Sequence, residues 1–280
     1  MKKYFFLFMF LTIFFSFLIN FAYAADYILQ SGQTSDQTNA KDITGAPNFL
    51  NDNDSFTIES GASIGLDTGI YDMAIAGNNT NTITIRTGGN VIFSYNMLGA
   101  ATLYGIYVQN NNTINNAGNI SSISNSAAST EIYGIHASDY NTIINSGDIS
   151  IMTDTNIGNG EVYGIYANNY NTISNSDSIS VIANSNDNGY AYGIYANDSN
   201  NISNSGSIDA NANNNHNEGR AYGISANASN IITNSGSINA TANDNDDGEA
   251  YGIYAYDYNN ISNSGTIYVI ANNNNDGTEA

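Results

Sequence analysis

The tripeptide Tyr-Gly-Ile begins at Tyr104, Tyr133, Tyr163, Tyr192, Tyr222 and Tyr251, so the chain restates itself every 29 or 30 residues. A period of that length marks a stacked architecture, in which each unit buries its apolar face only against its copies. A second landmark, Asn-Ser-Gly in most units, falls at Gly118, Gly147, Asp177, Gly206, Gly236 and Gly265, fourteen residues after each tyrosine. Length variation is thereby confined to the Asn/Asp-rich stretch before the next tyrosine, as in NSNDNGY at 184–190 and NNNHNEG at 213–219. A constant segment beside one that accepts insertion predicts a rigid rung with one surface loop.

Within the constant part the apolar period is two, which indicates strand and not helix. Strand parity places Tyr192, Ile194 and Ala196 on one face with Tyr195 opposite, and groups Asn200, Ile202 and Asn204, then Ile208, Ala210 and Ala212. Three short strands per repeat cannot bury these faces alone. Coiling the chain so that equivalent strands lie about 4.8 Å apart solves the problem. The expected fold is all-β: a right-handed, single-stranded parallel β-helix with three short strands per 29–30-residue coil.

The vertical files this implies are regular. Ile114, Ile143, Ile173, Ile202, Ile232 and Ile261 form one, and Ile120, Ile149, Ile179, Ile208, Ile238 and Ile267 another. Asn112, Asn141, Asn171, Asn200, Asn230 and Asn259, and Asn116, Asn145, Asn175, Asn204, Asn234 and Asn263, flank the first of them. Asparagine tolerates left-handed backbone geometry and its amide both donates and accepts, so both files are expected to form turns and ladders. Leucine-rich, helical and propeller repeats lack support, because leucines are few, a 3.6-residue period is missing and only three apolar stretches occur per unit.

The chain opens MKKYFFLFMFLTIFFSFLINFAYA, two lysines before an apolar run that ends in the small-x-small pattern Ala22-Tyr23-Ala24. This predicts a signal peptide at 1–24 cleaved after Ala24, with an uncleaved anchor as the alternative. Residues 25–55, with the single proline Pro47, are expected to cap the solenoid, and 56–103 to form degenerate coils in which FTIESGASI, YDMAIAG and NTITIRTGG echo the strands. Six regular coils fill 104–280, and the stop at Ala280 suggests truncation at a repeat junction. Beyond residue 24 the basic residues are Lys41, Arg86 and Arg220 against 25 acids, a net charge of 3 − 25 = −22 that disfavours nucleic acid as a partner. No cysteine is present, so an exported chain of this kind takes its stability from elsewhere than disulfides.

Residues for chemistry are sparse. His136 stands in the slot that holds tyrosine in other rungs, His216 lies in a variable stretch, and neither has a ligand or nucleophile at motif spacing. Asp139, Asp198 and Asp257 recur in the first turn without a basic partner nearby in sequence. The segment NDNDDGE at 243–249 resembles a calcium loop in its oxygen-rich spacing but has Tyr254 where the bidentate glutamate belongs, leaving weak cation binding as the most it suggests. No cofactor, no metal site and no enzymatic activity are expected. One surface feature remains: Tyr107, Tyr166, Tyr195 and Tyr254, interrupted by His136 and Ser225, form an outward column suited to stacking or to gripping a partner.

An export signal, a degenerate N-terminal coil and YGI…NTIxNSGxI rungs are similar to the passenger domains of autotransporters, the surface β-helices of Gram-negative bacteria. The resemblance spans 25–280 and implies a cell-surface or secreted adhesin or stalk. It further implies partners among host surface, matrix, glycan or a second copy, and outer-membrane delivery by a C-terminal barrel that this sequence does not contain. The alternatives are a carbohydrate-active β-helix lyase or hydrolase, and a truncated passenger fragment with no function of its own.

Overall fold

The computed structural model describes residues 26–35, 49–66, 73–95, 100–124, 129–154, 158–272 and 277–279. The leader expected at 1–24, the cleavage expected after Ala24, and Pro47 lie outside these residues. Every regular element among them is a strand, and the strands form three parallel sheets of nine. Neighbours in each sheet are three strands apart along the chain, so every turn gives one strand to each sheet. The molecule is a parallel β-solenoid, as the repeat predicts. We call the sheets the tyrosine sheet (Tyr-Gly-Ile strands), the asparagine sheet (Asn-Ile-x-Asn strands) and the third sheet.

Register follows the sequence files. Ile114, Ile143, Ile173, Ile202, Ile232 and Ile261 are consecutive partners in the asparagine sheet. Ile120, Ile149, Ile179, Ile208, Ile238 and Ile267 are partners in the third sheet. The first five of each file are buried, each isoleucine contributing about 1.5–3 kcal/mol relative to exposure. The degenerate coils join the same ladders, with Phe56 and Ile83 below Ile114 and Met73–Gly77 below the Tyr104 strand. Rung strands also occur within the stretch expected as a cap: Asp26–Leu29 pairs with Ser55–Ile58, and Phe49–Leu50 with Ala76–Gly77.

The core narrows along the axis. Leu103, Ile132, Val162, Ala191, Ala221 and Ala250 form one inward file, whose side chains fall from leucine and isoleucine through valine to alanine. The sheets close in accordingly. A methyl built on Gly105 would stand 3.1 Å from Cγ2 of Ile120; the equivalent gap is 2.4 Å from Gly164 to Ile179 and 2.1 Å from Gly223 to Ile238. Close packing tolerates no voids, so smaller side chains and a tighter cross-section go together.

Buried asparagines hold the corners. Asn171 shows the pattern: its backbone N–H and Nδ2 both donate to Oδ1 of Asn200 (2.8 and 3.1 Å), and Nδ2 also donates to the Ser138 carbonyl (2.7 Å). Its own Oδ1 accepts from the N–H and Nδ2 of Asn141, so every site on the amide is used. The same bonds run from Asn112 through Asn259. The second file, Asn116 to Asn263, joins Nδ2 to Oδ1 at 2.7–2.8 Å. In the degenerate coils its place is taken by Ile85, Ile58 and Leu29.

Two expectations are corrected here. Left-handed backbone is not supplied by the ladder asparagines but by the residue before each: Asn111, Tyr140, Tyr170, Ser199, Ser229 and Tyr258 have φ of 52–59°. The ladder's bonds hold those residues in a conformation that L side chains disfavour. Nor is the Asn/Asp-rich stretch only a surface loop. Ser185, Asn214 and Asp244 repeat the left-handed corner, and Asn186, Asn215 and Asn245 behind them form a third buried ladder. The length variation falls after it, since Tyr192 follows Asn186 by six residues while Tyr222 follows Asn215 by seven.

Asn171→Ala should cost about 2–4 kcal/mol in denaturant unfolding, because it strands the Asn141 amide and the Ser138 carbonyl. Ser174→Ala, on the outer face of the same strand, should stay within about 0.5 kcal/mol. Ser122 Oγ is buried without a partner, between Phe93 and Ile151 in its file, so Ser122→Ala should stabilise the fold by about 1 kcal/mol in the same measurement.

Candidate aromatic interaction face

The outer face of the tyrosine sheet gathers the side chains that the fold does not consume in its core. Its geometry turns on one glycine per rung. In Asn188–Asp198 the inward places are Gly189, Ala191, Gly193, Ile194 and Ala196, so alternation breaks between Gly193 and Ile194. Gly193 is skipped in the ladder register, as in a bulge. A methyl there would lie 2.2 Å from Ile208 Cγ2 and 2.5 Å from the Gly223 carbonyl oxygen, so no side chain fits. The parity assigned from sequence is therefore wrong for the first tyrosine: Tyr192 shares the outer face with Tyr195, while Ile194 and Ala196 point inward.

This places two aromatic files side by side. Tyr104, Tyr133, Tyr163, Tyr192, Tyr222 and Tyr251 stack without a break at 4.6–5.3 Å between centroids, tilted by 2–14°. The file foreseen in the sequence runs beside it. Tyr107, His136, Tyr166 and Tyr195 stack at 4.7–5.0 Å, Ser225 interrupts, and Tyr254 follows. Rings of the two files meet edge to face, for example Tyr163 with Tyr166 at 83° and Tyr192 with Tyr195 at 87°. Tyr133, Tyr163 and Tyr222 are under 9% exposed, so the first file belongs to the scaffold and the second is the more accessible.

Polar files border both. On one side Thr102, Glu131, Glu161, Tyr190, Arg220 and Glu249 are successive register partners. Tyr133 and Tyr163 hydroxyls donate to Glu131 and Glu161 (3.3 and 2.8 Å), and Arg220 bridges Glu218 and Glu249 at 3.5 and 3.3 Å while lying 5.9 Å from the Tyr190 ring. On the other side Asn168, Asn197 and Asn227 form an outward ladder, with Nδ2 of Asn197 and of Asn227 donating also to the hydroxyls of Tyr166 and Tyr195. This carboxylate and arginine file was not foreseen from sequence. Its members differ in type from rung to rung, and only their constant distance of two residues before each first-file tyrosine betrays it.

Burial sets the electrostatics. It pushes the Tyr133, Tyr163, Tyr166, Tyr190, Tyr192 and Tyr222 hydroxyls above the ordinary tyrosine range, with Glu131 and Glu161 adding to the effect at Tyr133 and Tyr163. Burial among rings also lowers His136 to about 4, and its Nδ1 has no partner.

The other residues singled out in the sequence lie apart. His216 is exposed, and Asp139 Oδ1 accepts from the N–H and Nδ2 of Asn169 in the neighbouring rung. Among the described residues no three His, Cys, Asp or Glu side chains gather to hold a metal ion. A depression of about 280 Å³ lies beside Thr102, Glu131 and Glu161, small for a site that encloses a ligand.

The chain matches no family model, no curated protein and no solved structure.

Two titrations test this face. The six shifted tyrosines should stay un-ionised as pH rises through about 10 and release phenolate absorbance only on unfolding. Their raised folded pKa makes stability full below pH about 10 and declining above it. For His136 the sign is opposite. The unfolded chain takes up the proton first, so stability drops as pH falls from 6.5 towards about 4 and then levels. His136→Tyr should remove that drop, so its advantage in melting temperature should widen over that interval.

Proposed function

We propose that this chain is a non-enzymatic, exported β-solenoid of the autotransporter-passenger kind, acting at the cell surface or outside it as a stalk with one adhesive face. Nine in-register strands per sheet at about 4.8 Å span a rod of roughly 40 Å, a stiff spacer. The observation that carries the adhesive part is the second tyrosine file, which sets rigid amphipathic rings with polar tips along one accessible side. The export signal and the YGI…NTIxNSGxI rungs support the surface location. Host surface, matrix or glycan, or a second copy, are the partners in view, with delivery through an outer-membrane barrel.

The second reading is a carbohydrate-active site, favoured by Glu218, Arg220 and Glu249 meeting on this same face. Against it, the guanidinium is already neutralised by both carboxylates, which leaves neither a free acid nor a free cation to act on a glycosidic bond.

Replacing Tyr166, Tyr195 and Tyr254 together by serine should reduce attachment of the purified chain to cells or matrix at least several-fold. Unchanged attachment by a folded triple variant rejects the adhesive face. Release of reducing sugar from a polysaccharide panel, lost in Glu218→Gln/Glu249→Gln, would replace this reading with the enzymatic one.

A further inference from the structure

The corner joining the asparagine sheet to the third sheet changes character where the degenerate coils meet the regular ones. Arg86 and Ala117 hold the same place in successive rungs, their N–H groups donating to the Ile58 and Ile85 carbonyls (2.9 and 2.8 Å). Ser146 follows them, with its N–H on the Asn116 carbonyl (2.7 Å). A long side chain, a methyl and a short hydroxyl thus stand one above another. Arg86 is turned towards the preceding rung, its Nε donating to Glu59 Oε1 at 3.0 Å. The methyl of Ala117 leaves room above it. A depression of about 540 Å³ lies there, within the size range of small-ligand sites.

The lining selects a ligand by exclusion. Arg86 is paired with Glu59, so its charge is balanced, and a chain with 25 acidic residues against 5 basic ones repels anions at longer range. Cations find no carboxylate in the lining. An uncharged ligand remains. The Thr84 and Thr87 hydroxyls and the Asn115 amide can each donate and accept, and none of the three has a side-chain partner among the described residues. The neighbouring Asn116, by contrast, spends its Nδ2 on Asn145 in the ladder. The guanidinium adds N–H donors beyond the one that Glu59 takes. Beside these polar groups stands aliphatic surface, Ile144 at 43% exposure together with Ala117. Mixed donors and acceptors around an aliphatic patch match a polyhydroxylated ring with one C–H face.

We propose that this depression binds a neutral saccharide, a short oligosaccharide of uncharged pyranose units. Its hydroxyls meet Asn115, the two threonines and Arg86, and a C–H face rests on Ile144. Thr84, Asn115 and Ile144 are consecutive register partners, held about 4.8 Å apart by the sheet, so the site is ordered before the ligand arrives. It lies on a different sheet from the tyrosine files and does not rest on their being adhesive.

The probes are cellotriose, maltotriose and mannotriose, with trigalacturonate as the acidic counterpart, titrated into the full chain while isoleucine methyl signals are followed by NMR. At least one neutral trisaccharide should shift the Ile144 methyls saturably. Ile231, 50% exposed on the same face three rungs further along, should stay still. Asn115→Ala, which removes the amide, and Ala117→Gln, which fills the depression, should each weaken binding about tenfold with the melting temperature unchanged. If Ala117→Gln fails to fold, Asn115→Ala carries the comparison. No saturable shift with any of the three, equal or tighter binding of trigalacturonate, an equal shift at Ile231, or undiminished binding by folded Asn115→Ala would overturn the proposal. The variant with Tyr166, Tyr195 and Tyr254 replaced by serine should bind the trisaccharide as the native chain does; loss there would overturn the location of the site. The two readings therefore fail separately. Absent saccharide binding with tyrosine-dependent attachment removes the depression and leaves the adhesive face, and the reverse pair of results does the opposite.

Discussion

The structure depends on one interaction, the bond from an asparagine amide in one rung to the asparagine carbonyl oxygen directly above it. A buried amide left unpaired costs about 1–3 kcal/mol, and each corner buries several polar groups at once. Asn171 resolves its corner only because Asn200 stands at the same place one turn later and Asn141 one turn earlier. The requirement passes from rung to rung, which is why the words of the sequence recur. The same bonds hold Tyr140, Tyr170 and Ser199 in left-handed backbone that those residues would not choose.

Identical stacking has a second consequence, on the outside. Whatever occupies an outward place is repeated about 4.8 Å above itself, so aromatics pile into files and cover one another. The first tyrosine file shows the scaffold use of this, six stacked rings of which Tyr133, Tyr163 and Tyr222 are buried, with Glu131 and Glu161 accepting from two of the hydroxyls. A departure such as Ser225, Arg220 or His136 changes what neighbouring rungs present on that face.

Much of this was legible in the residues. The isoleucine files of two sheets, the three strands per turn and the first two asparagine files follow from spacing, because constant spacing and in-register pairing are the same statement. The orientation of Tyr192 was not, since period-two parity assumes an unbroken pleat and Gly193 adds an inward place with no side chain. The third ladder was obscured because Asn186, Asn215 and Asn245 sit among other Asn and Asp residues, next to the only place where lengths vary. The Glu131–Glu161–Arg220–Glu249 file escaped notice for the reverse reason, its positions being constant while its residue types change. Pattern recognition finds identical letters at fixed intervals; charge pairing across rungs needs coordinates.

The central claim is register, and a chain without cysteine allows a direct measurement of it. Ser174 and Ser203 are partners on the outer face of the asparagine sheet, with Cα atoms about 4.8 Å apart, within the span of a disulfide. Asn201, on the same strand and face as Ser203, is offset from Ser174 by two residues, about 8 Å away by the same geometry. Air oxidation of Ser174→Cys/Ser203→Cys should close an intramolecular disulfide nearly completely, and Ser174→Cys/Asn201→Cys should remain reduced. Failure of the first pair to close, or equal closure of the second, would contradict in-register stacking and everything built on it.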